Sequence, residues 1–161
     1  MKLDSVKVFI VTNPPPGFGG RYFVFLKLKT ACGIEGVGEV YAASFHPDVM
    51  EKAIGDVYQR YLENHDPHQI ERFFRQAYSS GFTQRPDLSM MGVVSGLEMA
   101  CWDIIGKAAN QPVYQLIGGK YRDKVHAACP RATLEIVSGG RFCMTWERAT
   151  DIAAHARIFL S

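Results

Sequence analysis

Glu98 and Asp103 are the first residues in this 161-residue chain to test for chemistry, since two carboxylates held close can work as an acid–base pair. They sit five apart in GLEMACWDIIGKAA, a stretch with helical spacing, and residues five apart on a helix do not face one another. A structural role for both follows. His65, His68, His126 and His155 form no metal-ligand spacing and read as surface residues. Cys32, Cys101, Cys129 and Cys143 contain no C-x-x-C pair, which argues against a structural zinc site and against a disulfide framework. Gly17-Phe18-Gly19-Gly20 has the composition of a phosphate cradle, but no helix follows to supply its amide groups.

Composition narrows the class. Hydrophobic residues make up 47% and charged residues 21%, values ordinary for a globular protein. The net charge of +2, with no Lys/Arg block, points away from nucleic acid and from a membrane surface. No apolar run approaches the roughly 18 residues of a membrane helix. The dispersed cysteines fit a reducing compartment, so a cytoplasmic protein is expected.

The elements that must position any site come next. Residues 6–12 are rich in β-branched side chains and read as a strand, stopped by Asn13-Pro14-Pro15-Pro16. YFVFLKLKT, 22–30, and IEGVGEVY, 34–41, make two further strands around the turn Ala31-Cys32-Gly33. The period then changes to about 3.6. One helix starts at Pro47 and carries Met50, Ile54, Val57, Tyr58 and Tyr61 on one face. A second has Asp66 as its N-cap, Pro67 at the first position and Gln69 as capping-box partner, with Ile70, Phe73, Phe74 and Ala77 as its stripe. A third, roughly 90–109, carries an apolar face wide enough to be covered on more than one side, and Asp103 and Lys107 form an i, i+4 pair on what remains. Asn110-Gln111-Pro112 ends it, and 113–117 makes one more turn before Gly118-Gly119. The fold class is α+β: a three-stranded antiparallel meander followed by a helical bundle.

Four segments in this order resemble the N-terminal capping domain of the mandelate racemase and muconate-lactonising branch of the enolase superfamily. They are Gly33-Ile34-x-Gly36-x-Gly38-Glu39, Ala100-x-Trp102-Asp103-Ile104, Pro112-Val113-x-x-Leu116-Ile117-Gly118-Gly119 and Arg122-Asp123-x-Val125. Within the branch, GEVYAASFHPDV and SSGFTQRPDLSMMGVVSG are similar to the acid-sugar dehydratases of the galactonate and mannonate type. The resemblance implies a reaction in which a base removes the proton α to a carboxylate and Mg²⁺ stabilises the enediolate. It also implies that bases and metal ligands lie on a barrel domain of roughly 200 residues or more, beyond the matched segments. No catalytic residue, metal ligand or cofactor is therefore assigned to this chain, and a sugar acid is its substrate only where a barrel is supplied. What the family's capping domain contributes is a lid of two loops, at about 13–22 and 41–47. Arg21, Tyr41 and His46 are the hydrogen-bonding candidates there. Each has a plainer reading: Arg21 as a strand flank, Tyr41 as a packing residue, His46 as a helix cap.

The capping domain is expected to span 1–125 and a divergent tail 126–161. The tail reads locally as a hairpin, 132–137 and 141–146, followed by a helix, 147–160. Residues 1–125 hold eight Lys and six Arg, whereas 126–161 hold four Arg and no Lys, a shift that suits a fusion or a changed reading frame. The expectation is a truncated capping domain, inactive alone. The alternative is a non-catalytic module that pairs with a separate barrel chain or with itself, as a homo-oligomer.

Overall fold

The computed structural model describes residues 1–15, 20–41, 45–79 and 88–120. Three strands form one antiparallel sheet in the order β1-β2-β3: β1 Leu3–Thr12, β2 Tyr22–Thr30 and β3 Glu35–Val40. Registers such as Val8↔Leu26 and Leu26↔Gly38 put Val24, Leu26 and Leu28 on one face, where all three are fully buried. The period of two in YFVFLKLKT thus becomes one core face, each buried side chain contributing about 1.5–3 kcal/mol. Gly33 turns β2 into β3 at φ +89°, a backbone state that a side chain would strain. β1 starts three residues earlier than its β-branched run indicates. The extra residues are held from outside the sheet: Leu3 N–H donates to the His65 carbonyl and Asn64 N–H donates to the Leu3 carbonyl.

Helices cover the core face. In α1, Pro47–Tyr61, the residues Met50, Ile54, Val57 and Tyr58 are buried as the spacing predicts, while Tyr61, on the same face by spacing, is only half-buried at the last position. The second helix, α2 at Ile70–Ser79, begins later than expected. Asp66 does not cap it as a capping box. Its carboxylate accepts from the His68 N–H (3.1 Å) and ring (2.8 Å) and from the Met1 ammonium (3.4 Å), closing a turn ahead of the helix. Those bonds hold its pKa down at about 2, and Gln69 instead accepts from Arg72. Phe73 and Ala77 are buried beneath α2.

Helix α3, Leu88–Ala108, is the centre of the core. By length and composition alone it would pass for a membrane span, which corrects the expectation that no apolar stretch comes near that length. More than half of its most apolar window, 56%, is buried inside the protein, against strand and helices. Its Cys101 is buried among apolar neighbours, which pushes the thiol pKa up to about 12 and makes it a packing residue. Spacing alone puts Val94, Leu97, Cys101, Ile104 and Ala108 on one stripe; the first four are buried and Ala108 is exposed at the helix end.

The contact between α3 and β3 is made of backbone. A Cβ on Gly36 would lie 2.2 Å from the Ala100 carbonyl oxygen, and one on Gly38 would lie 1.9 Å from that of Gly96. From the helix side, a Cβ on Gly96 would meet the Val40 side chain at 2.5 Å, and one on Gly92 the Tyr41 carbonyl at 2.6 Å. Gly92, Gly96 and Ala100 recur every four residues, so one smooth stripe of α3 runs antiparallel along β3.

Asp103 secures this crossing. It is buried rather than solvent-facing, contrary to the spacing argument. Its Oδ2 accepts from the Val37 N–H (3.0 Å) and from Lys107 (2.7 Å), while Lys107 also donates to the Glu35 carbonyl (2.7 Å). The pair thus serves the edge strand as well as the helix. Asn110, at φ 51°, and the bond from Gln111 N–H to the Gly106 carbonyl end α3. Residues 1–111 form one compact unit and 112–161 a second. Of the second, α4 at Val113–Leu116 and the glycine pair at φ +124° and +94° are described. The proposed hairpin and helix of the tail lie outside the described residues.

Gly38→Ala is expected to cost about 3 kcal/mol, the upper end of overpacking penalties, because the clash is with backbone. Gly55→Ala, in open space within α1, is expected to stabilise by a few tenths to about 1 kcal/mol. Urea unfolding monitored by circular dichroism measures both, and equal effects of the same sign would remove the close crossing from the account.

Candidate substrate-lid face

The antiparallel register places the end of β1, the start of β2 and the end of β3 at one end of the sheet, with Thr12 opposite Tyr22 and Val24 opposite Val40. Both expected lid segments leave from this end. The base of the first is closed by the Asn13 N–H donating to the Arg21 carbonyl and the Asn13 amide donating to the Gly20 carbonyl, each at 2.8 Å. The second is tied to the first: the Tyr22 hydroxyl donates to the Phe45 carbonyl. Tyr22 was not among the sequence candidates. A tyrosine at the first position of a strand, next to a proline- and glycine-rich loop, was the available signal.

Arg21, Tyr41 and His46 all stand at this end and all are exposed, Tyr41 at 55%. Among the described residues no hydrogen bond or ion pair joins the three. Arg21 precedes β2 and gives its backbone carbonyl to Asn13. Tyr41 follows β3 and sets its carbonyl against Gly92. His46 is the N-cap of α1, its Nδ1 accepting from the Asp48 N–H at 3.4 Å and lying 3.4 Å from the Asp48 carboxylate. His65 and His68 sit in the turn before α2, where His65 Nδ1 lies 2.8 Å from the Glu63 carbonyl and His68 bonds Asp66. Glu98 accepts from the Trp102 indole at 3.3 Å. Neither Glu98 nor Asp103 is aimed at the other, since each is engaged with a different structural partner.

Beside Tyr41 an open groove of about 410 Å³ runs along α3, lined by Glu39, Tyr41, Leu88, Met91, Ser95 and Met99. Burial raises the pKa of Glu39 above the usual carboxylate value. The resemblance implies Mg²⁺, which needs several hard oxygen donors around one point. Among the described residues no group of three His, Cys, Asp or Glu side chains converges, so they do not fit that ion and no step is drawn through it.

The mandelate racemase/muconate lactonizing enzyme N-terminal domain model matches residues 15–118. The chain belongs to this family. A D-galactonate dehydratase family member, RspA from Cellvibrio japonicus, is 36% identical over 125 residues, covering 78% of this chain and 29% of RspA. Among solved structures, a mandelate racemase/muconate lactonizing enzyme candidate from Burkholderia SAR-1 is 65% identical with a TM-score of 0.73, covering 76% of this chain and 30% of that one. An enolase from Agrobacterium radiobacter, a galactarate dehydratase candidate solved with sodium and L-malate, is 30% identical with a TM-score of 0.68, over 78% of this chain and 30% of that one. The chain therefore spans less than a third of the length of these relatives. The residues described here are the N-terminal α+β domain of acid-sugar dehydratase-like members of the enolase superfamily.

His46→Asp is expected to hold or raise stability, by about 0.5 kcal/mol, because a carboxylate is the better N-cap and suits the helix dipole. His46→Ala is expected to lose about 0.5–1 kcal/mol. Thermal melting of both variants decides it, and an alanine variant as stable as the parent removes the cap.

Proposed function

We propose that this domain is the substrate lid of an acid-sugar dehydratase-like enzyme, inactive without a barrel. One observation carries the reading. The bases of two segments are fixed at a single sheet end by Asn13 and Tyr22, while Arg21, Tyr41 and His46 stand exposed beside them. A fixed base flanked by exposed polar side chains suits a lid over a polyol carboxylate. Arg21 supplies a charge-assisted donor for a carboxylate, and Tyr41 and His46 supply hydrogen bonds to hydroxyls. Closing such a cover excludes water and strengthens the polar contacts beneath it. In this reading proton abstraction belongs to groups on the barrel.

The names of the relatives, a D-galactonate dehydratase family member and a galactarate dehydratase candidate, support sugar acids as the substrate class. A second reading, as an interaction module, draws on exposed apolar side chains on the lid end and on α3: Tyr41, Phe45, Val49 and Leu88. Light scattering discriminates, since a strict monomer with no partner counts against it.

The purified chain is expected to show no Mg²⁺-dependent turnover of galactonate, mannonate or galactarate. Placing residues 1–120 in the Burkholderia SAR-1 protein, in exchange for its matching segment, is expected to give a chimera that dehydrates a sugar acid. In that chimera Arg21→Ala and Tyr41→Phe raise KM about three- to tenfold, the value of one hydrogen bond at 0.5–1.5 kcal/mol. Turnover by the chain alone, or KM values indifferent to both substitutions, would overturn the reading.

A further inference from the structure

Tyr22 belongs to the core by its ring and to the lid end by its hydroxyl. Alternation along β2 puts it on the sheet face of Val24, Leu26 and Leu28, and its ring packs against the core cluster. The hydroxyl donates to the Phe45 carbonyl on the second segment. A tyrosine has only two side-chain torsions, so a packed ring holds its hydroxyl in place at small entropic cost. The ring is therefore the fixed end of this bond, and the Phe45–His46 peptide is the end that it holds.

The neighbours of the two ends are lid candidates. Arg21 directly precedes Tyr22, and its carbonyl accepts from the Asn13 N–H at 2.8 Å. His46 directly follows Phe45, and its carbonyl accepts from the N–H groups of Val49 and Met50 at 3.0 and 3.3 Å. The His46 Nδ1 is turned to Asp48, so Nε2 remains to meet a ligand, on a side chain 71% exposed. Two polar groups far apart in sequence thus each stand one residue from an end of the same hydrogen bond. Tyr41 is placed differently, by the seat of its carbonyl on Gly92.

We infer that Tyr22 is a positioning residue: it fixes the spacing between Arg21 and His46 so that both meet one sugar acid, the guanidinium at its carboxylate and the imidazole at a hydroxyl. The inference rests on the lid reading for its ligand, whereas the tether stands apart from it. A pair already held at its working distance binds without the cost of being ordered first.

Amide spectra of the ¹⁵N-labelled 161-residue chain read the tether. Tyr22→Phe keeps the ring, so the fold is retained. The His46 N–H shares a peptide group with the acceptor carbonyl, and it is expected to shift while the Leu26 and Ile54 amides do not. An unmoved His46 amide overturns the inference. Kinetics of the chimera with the Burkholderia SAR-1 protein read the positioning. His46→Ser keeps a capping oxygen and removes the ring, and is expected to raise KM for the sugar acid about three- to tenfold, with Tyr22→Phe raising it about threefold. Residues that act through one another are not additive. The double variant Tyr22→Phe/His46→Ser is therefore expected to match His46→Ser alone, whereas the effects of Tyr22→Phe and Tyr41→Phe multiply. Effects that multiply in both pairs overturn the positioning role and leave the lid reading in place. A chimera that turns over no sugar acid, with the His46 shift present, removes the lid reading instead and reduces Tyr22 to a contact of the fold.

Discussion

The crossing of α3 over β3 without intervening side chains is the contact on which the rest of this domain depends. Helices usually stand off a sheet by the thickness of the side chains that fill the space between them. Here Gly36 and Gly38 on the strand face Gly92, Gly96 and Ala100 on the helix, and carbonyl oxygens occupy the positions that Cβ atoms would take. Close approach has two effects. It brings a short carboxylate, Asp103, within reach of the Val37 N–H on the edge strand, and it lets Ile104 and Leu97 fill the sheet face fully, both at 0% exposure. Its cost is that helix and strand can no longer adjust separately, since backbone cannot move aside as a flexible side chain does.

In the proposed role as a substrate lid, that rigidity would serve the end of the sheet from which both segments leave. Tyr41 begins where β3 stops, and its carbonyl is seated on Gly92, so the departure point of the second lid segment is set by the same contact. The first segment leaves from the neighbouring strands and is bound to the second through Tyr22 and Phe45. A substrate cover must keep its base fixed while its tips reach the ligand. The glycine crossing on one side and the Asn13 and Tyr22 bonds on the other divide that task.

The meander and the core faces of the helices were legible because their signals are local. Alternation in YFVFLKLKT, the Gly33 turn and Pro47 each act within a few residues. The motif Gly36-x-Gly38 was legible as a family mark, but its physical reason was not. Its partners lie some sixty residues away, and nothing local to Gly92 and Gly96 marks them as half of an interface. Asp103 was misplaced for the same reason. On a helical wheel it pairs with Lys107 toward solvent, and only the strand's N–H, supplied from a distance, turns it inward. The start of α2 was missed because Asp66 had a competing use, bonding His68 and the chain's own ammonium group. Arg21, Tyr41 and His46 were found as polar residues in loops, and the tether that relates their segments was not, since Tyr22 looks like any strand residue.

A three-stranded sheet has two outer edges, and each offers unpaired amide groups to any passing strand. In this domain both edges are held by parts of the same chain. Lys107 and Asp103 take the Glu35 carbonyl and the Val37 N–H on β3, and the turn at Asn64 and His65 takes both backbone groups of Leu3 on β1. Those stretches of backbone are unavailable for strand addition. Two such domains can therefore meet there only through side chains, and templated growth of the sheet into a fibre is blocked at both places.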